Sequence, residues 1–214
     1  MTRAAVKEYV DVMLAQELDE SLNEHGFVRR NRSIVYSRHA GEAKQTIDIT
    51  YDVGPRYAGD ADAHILPKLG ILLPKVNEVA VRMEGDSRVL GSGEATLYQP
   101  IEFVAPKIET PRWQPSGRNG FLHVGGEINA FIKRWVVPFL DEYQTSAAFV
   151  RGYEQRDERL VFVQPWYVYV AAAYVVLGDF KKAREVIETK LGAPGLRKRY
   201  ASVFEYFERE SLPS

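Results

Sequence analysis

Between residues 27 and 40 the sequence holds Arg29, Arg30, Arg32, Arg38 and His39, with no acid among them. Guanidinium groups at this density make a local positive patch. Such a patch meets carboxylates or phosphates through charge-assisted hydrogen bonds. Asp48, Asp52, Asp60 and Asp62 follow, and cross-strand pairing with them would neutralise it. The four arginines are therefore candidate partner-binding residues, with solvated pairing as the alternative. Asp48, Asp52 and His64 are the candidate ligand-binding set, with Arg118 and His123 as further members.

Other chemistry fails on spacing. The histidines are His25, His39, His64 and His123, and no two lie at the i,i+4 spacing that puts two ligands on one helix face. There is no cysteine, so disulfides, thiolate nucleophiles and thiolate zinc sites are excluded. Gly85-Asp86-Ser87 has the order of a GDS-type lipase block. It follows an expected helix rather than a strand, and Asp62-Ala63-His64 is one residue short of the matching block. A serine without a placed base is a weak nucleophile. Residues 117–126 (GRNGFLHVGG) precede an expected helix, where glycine N–H groups can cradle a phosphate beside Arg118 and His123. The Walker and Rossmann spacings are both missing. We expect no metal and no cofactor.

These residues need elements to hold them. Val6, Val10, Met13, Leu14, Leu18 and Leu22 recur at helical spacing, and Gly26 is placed to stop that helix. Residues 27–30 and 33–38 flank Asn31-Arg32 as a hairpin. Residues 45–53 alternate, with Ile47, Ile49, Tyr51 and Val53 on one face and Thr46, Asp48, Thr50 and Asp52 on the other. Residues 57–63 read as loop. Residues 64–73 read as a strand, which Pro67 and Gly70 assign to an edge or a bulge. Pro74 opens a short helix, and residues 95–104 read as a strand pair or a strand bent at Pro100. Residues 106–126 are a long irregular stretch that is functional or hides an element. Ile128, Phe131, Ile132, Trp135, Val136, Phe139 and Leu140 then share a helix face, with a kink expected near Arg134 because Pro138 cannot donate. A helix over 165–177 is ended by Gly178. Asp179 caps the next, whose face is Phe180, Ala183, Ile187 and Leu191. Leu196, Tyr200, Val203, Phe204 and Phe207 mark the last.

The order is helix, antiparallel strands, helices. That is α+β: an N-terminal helix on an antiparallel sheet, followed by a C-terminal helical bundle. One domain over 1–214 is expected, with a division into 1–125 and 126–214 as the alternative. The 214 residues are 45% hydrophobic and carry a formal charge of −1, which suits a globular core and gives no global field for nucleic acid. Residues 160–177 carry no charge, but a helix from Pro165 rises only about 20 Å, short of a bilayer's roughly 30 Å. We expect a buried helix, no membrane contact and a cytoplasmic protein, the last from the absence of cysteine and of a signal-peptide core at the start.

Three features together resemble a known group. A long amphipathic helix runs into Gly26-Phe27-Val28-Arg29-Arg30. Strands bearing Ile34 and Tyr36, then Ile47, Ile49 and Tyr51, follow it. Leu177-Gly178-Asp179-Phe180 joins two helices and leads to Ala183. The pattern resembles a loose group of uncharacterised bacterial domains, some encoded beside toxin genes as candidate immunity proteins. The resemblance implies a non-enzymatic protein-binding module that neutralises a toxin, and it carries over no catalytic residue. The alternative is a small-molecule or phosphate-binding protein, or a hydrolase whose site has no familiar motif.

Overall fold

The structure, a computed structural model, describes residues 1–85, 90, 95–106 and 112–210. In chain order its elements are α1 (Arg3–Met13), a π-turn (Leu14–Leu18), α2 (Asp19–Glu24), β1 (Val28–Arg29), β2 (Val35–Ala40), β3 (Ala43–Val53), β4 (Ala63–Leu72) and α3 (Pro74–Glu84). Then come β5 (Leu97–Pro100), a 3-10 turn (Ile101–Val104), α4 (Gly117–Phe131), a second π-turn (Ile132–Val136), α5 (Val137–Glu142), α6 (Ser146–Glu154), α7 (Trp166–Val176), α8 (Phe180–Leu191), α9 (Pro194–Arg199) and α10 (Ala201–Glu210). The class is α+β, with one five-stranded antiparallel sheet in the order β1-β2-β3-β4-β5. Helix α3 interrupts the strands, so they are less segregated than expected. Two compact units partition the chain. One is Met1–Ala40, Lys44–Gly70 and Tyr98–Glu142; the other is Gly41–Ala43, Ile71–Leu97 and Tyr143–Ser214.

In the first unit the N-terminal stripe is fully buried, from Val6 to Leu22. A strict four-residue repeat advances about 400° in an α-helix and so drifts about 40° per step. The π-turn takes up an extra residue, with the Asp19 N–H donating to Leu14 O, and turns the stripe back. Gly26, at φ +80°, ends α2 in a Schellman motif. Its N–H reaches Asn23 O at 2.9 Å and that of Phe27 reaches Leu22 O at 3.0 Å. Ile47 and Ile49 of β3 are fully buried as expected, while Tyr51 and Val53 are only half-buried.

Strand β4 lies between β3 and β5, so the edge position expected for it is wrong. The Ile65 N–H points to Trp113 O at 2.9 Å. By strand parity Pro67 faces that same side, away from β3, and its missing N–H costs the β3 pairing nothing. Gly70 is there because Thr46 Oγ1 occupies the space a Cβ would need.

The largest correction concerns residues 106–126. They hide the start of α4, which begins at Gly117 and packs on α1 and the first π-turn. Gly125 lies against Met13 and Glu17, Tyr9 meets Phe121 edge-on at 5.6 Å, and Ser21 donates to Asn129 at 2.8 Å. The break expected at Arg134 takes the form of the second π-turn, closed by the Val137 N–H on Ile132 O. After Pro100 the chain makes a 3-10 turn rather than more strand.

In the second unit α7 is central. Residues 168–174 are all buried, and α3, α6 and α8 pack around the helix. That explains a helix apolar on every side. Among the described residues no helix is long and apolar enough to cross a membrane. Gly178, at φ +82°, ends α7, and the Asp179 carboxylate caps α8 by accepting from the Lys182 N–H at 3.0 Å. Phe180 is 44% exposed and leaves the face assigned to it, while Ala183, Ile187 and Leu191 are buried. Helix α6 has no counterpart in the sequence reading. Its start is marked by Thr145, whose Oγ1 accepts from the Ala148 N–H at 3.1 Å.

Candidate functional site

The β1–β2 hairpin separates the four arginines into two pairs. Arg29 stands opposite Tyr36 and points inward. Its guanidinium grips Asp19 with both arms, Nε to Oδ1 at 2.8 Å and a terminal nitrogen to Oδ2 at 2.5 Å. The Tyr36 hydroxyl donates to the same carboxylate at 2.6 Å. Burial pushes the Asp19 carboxyl up, but the Arg29 and Tyr36 hydrogen bonds together outweigh it and hold the group below the ordinary aspartate value. Burial and the neighbouring carboxylate raise Tyr36, which stays a neutral donor.

Arg38 is held more tightly still. Its Nε donates to Gln45 at 2.8 Å, and its terminal nitrogens donate to His25 O at 3.0 Å and Asp141 at 2.5 Å. The guanidinium lies 4.4 Å from the centre of the Phe27 ring. Fully buried Gln45 passes the link on by donating to Leu140 O at 2.5 Å. The acids that neutralise the patch are thus Asp19 and Asp141, not Asp48, Asp52, Asp60 or Asp62. Asp19 sits on the helix before the patch and Asp141 lies 103 residues after Arg38. Both lie on helices, so neither is a cross-strand neighbour of the patch.

Arg30 and Arg32 are exposed, and neither guanidinium has a hydrogen bond or ion pair among the described residues. The turn that carries them is tied on both sides. The Ser33 N–H donates to Arg30 O at 3.0 Å, Arg29 donates to Ser33 O at 3.0 Å, and the Val35 N–H donates to Ser33 Oγ at 3.0 Å. Arg32 adopts φ +61°, a conformation that normally favours glycine.

The second set of residues divides between the sheet, which carries Asp48, Asp52 and His64, and α4, which carries Arg118 and His123. The Gly54 N–H donates to Asp62 O, and Thr46 abuts Gly70. That register sets Asp52 opposite His64 and Asp48 opposite Lys68 on the outer sheet face. Asp48 accepts from the Tyr98 hydroxyl at 2.8 Å, and its other oxygen is buried without a partner among the described residues. Tyr98 carries Lys68 over its ring at 5.4 Å. His64 Nδ1 pairs with the Tyr57 hydroxyl at 2.5 Å. Arg118 and His123 are exposed on the first turns of α4, with His123 at 3.4 Å from Glu127. The phosphate cradle expected there does not form. Residues 117–126 are helix, and Asp62 already occupies its N-terminus by accepting from the Gly117 N–H at 2.8 Å. His64 borders a depression, of about 260 Å³, with Leu66, Pro67, Glu102, Arg112 and Trp113. Of the GDS-like block only Gly85 is described; Asp86 and Ser87 lie outside the described residues.

Comparison with protein-family models, curated proteins and solved structures finds no match.

Proposed function

We propose that this chain is a non-enzymatic protein-binding module that offers Arg30 and Arg32 to an acidic partner, and that the partner is a toxin it neutralises in the cytoplasm. One observation carries the reading: the fold neutralises Arg29 and Arg38 internally and leaves Arg30 and Arg32 unpaired among the described residues, on a turn it holds in shape. A pre-shaped turn loses little conformational freedom on docking. The absence of cysteine supports the compartment. The test is a binding assay against the product of a neighbouring gene at two salt concentrations. Arg30→Glu with Arg32→Glu should slow association, most strongly at low salt, because exposed charges are screened beyond about 8 Å at physiological ionic strength. Unchanged association at low salt would sink the proposal.

A second reading, a small-molecule or phosphate-binding protein, is favoured by the depression at His64, where Arg112 and Glu102 join the histidine. Inorganic phosphate that moves the His64 ring resonances, and fails to do so in an Arg112→Gln variant, would support it.

A further inference from the structure

We propose that the groove between Trp113 and α4 binds a planar aromatic carboxylate. The inference deepens the small-molecule reading and rests on it. Arg112, Trp113, Glu127, Ala130, Phe131, Arg134 and Trp135 line this second depression, of about 480 Å³, which lies within the usual range for ligand pockets, roughly 300–1,000 Å³. Arg112 and Trp113 also border the His64 depression.

The donors here outnumber the acceptors. Trp113 is 3% exposed, and its indole Nε1 is buried with no hydrogen-bond partner among the described residues. A buried donor without an acceptor is costly, and native structures rarely keep one without a reason. Arg112 is exposed and its guanidinium has no ion pair among the described residues. The one acid in the groove, Glu127, already faces His123 at 3.4 Å. A carboxylate in the groove would supply an acceptor to the exposed Arg112 fork, beside an indole that already lacks one.

The walls select a flat ring. Trp113 and Phe131 meet edge-on, with centroids 5.5 Å apart and planes at 86°. Trp135 is half-buried beside them, with the Arg134 guanidinium 4.7 Å from its ring centre. Ala130 keeps the wall low between the larger side chains. An aromatic ring gains offset or edge contacts on such walls, whereas inorganic phosphate would leave them wet. An aromatic cation would meet Arg112 and Arg134.

The chain has three tryptophans, so protein labelled with ¹⁵N at tryptophan shows three indole resonances. Trp135→Phe and Trp166→Phe variants assign them, and the readout itself uses the unaltered protein. Titration with 2-naphthoate should shift the Trp113 and Trp135 resonances and leave Trp166 in place. Arg112→Gln, at an exposed position, should weaken binding about tenfold or more. Three results would overturn the proposal: neither Trp113 nor Trp135 responding, 2-naphthalenemethanol binding as tightly as the acid, or Arg112→Gln binding like the parent. Phosphate moving His64 while naphthoate moves no tryptophan would also overturn it, yet leave the broader small-molecule reading standing.

Discussion

Two exposed arginines adopt left-handed backbone, Arg32 at the hairpin tip and Arg156 at the end of α6. Arg156 occupies the glycine position of a Schellman motif, in which its N–H reaches Tyr153 O at 3.1 Å and that of Asp157 reaches Gly152 O at 3.0 Å. A residue with a Cβ there costs of order 1 kcal/mol relative to glycine. Arg32→Gly and Arg156→Gly should therefore each raise the urea midpoint, by about 1 kcal/mol in unfolding free energy. A lower midpoint for either variant would show that its side chain has structural work elsewhere. Arg38 should behave in the opposite way. Arg38→Ala strips the buried Gln45 and the His25 carbonyl of a donor and should cost about 3 kcal/mol or more, whereas Arg30→Ala should stay within about 0.5 kcal/mol. Equal losses from the two would contradict the division of the arginines into held and free pairs.

At the scale of elements, α4 depends on two adjacent glycines that are not equivalent. A Cβ on Gly125 would overlap Met13 and crowd Glu17 at 3.0 Å, whereas one on Gly126 would rest 3.6 Å from the Glu17 carboxylate. Gly125→Ala should thus destabilise by about 1–3 kcal/mol through overpacking. Gly126→Ala should be neutral or stabilising by up to about 1 kcal/mol, from helix propensity alone. Thermal denaturation of the two variants side by side checks this, and a reversed order would place α4 in a different register on the N-terminal helix. This packing also explains why the helix was hidden in the sequence. Glycine-rich stretches read as loop because glycine weakens an isolated helix, but here the missing side chains admit Met13 and Glu17. Helix α6 was legible in principle, since Thr145 is an N-cap residue directly before a run of small and apolar residues.

Across the whole molecule, acid should be the sensitive direction. Asp19 and Asp157 are each pushed up by burial, and each is nonetheless held below its ordinary value. Arg29 and Tyr36 do this for Asp19, and Arg159 and Tyr143 for Asp157. A depressed folded value means that the unfolded chain binds protons first as pH falls. The stability these groups contribute is therefore complete above the unfolded aspartate value of about 3.9 and is lost as pH drops through the folded values. Urea midpoints measured from pH 7 downward should fall steeply below about pH 4, and Asp19→Asn with Asp157→Asn should flatten that fall. An unchanged slope in the double variant would assign acid sensitivity to other carboxylates.

What the sequence determined by itself was whatever depends on neighbours along the chain. The buried stripe from Val6 to Leu22, the Gly26 and Gly178 stops, the Asp179 cap, the alternation through Ile49 and the α+β class all follow from local periodicity and backbone chemistry. The tertiary structure decided whatever depends on partners distant in sequence. It placed Asp141 on Arg38 and Asp62 on the N-terminus of α4, set β4 inside the sheet, and surrounded α7 with three helices. The charge patch shows the difference most directly. Its composition was visible from residue types, but which arginines remain free depends on which carboxylates the fold delivers, and an ion pair has no preferred separation along the chain.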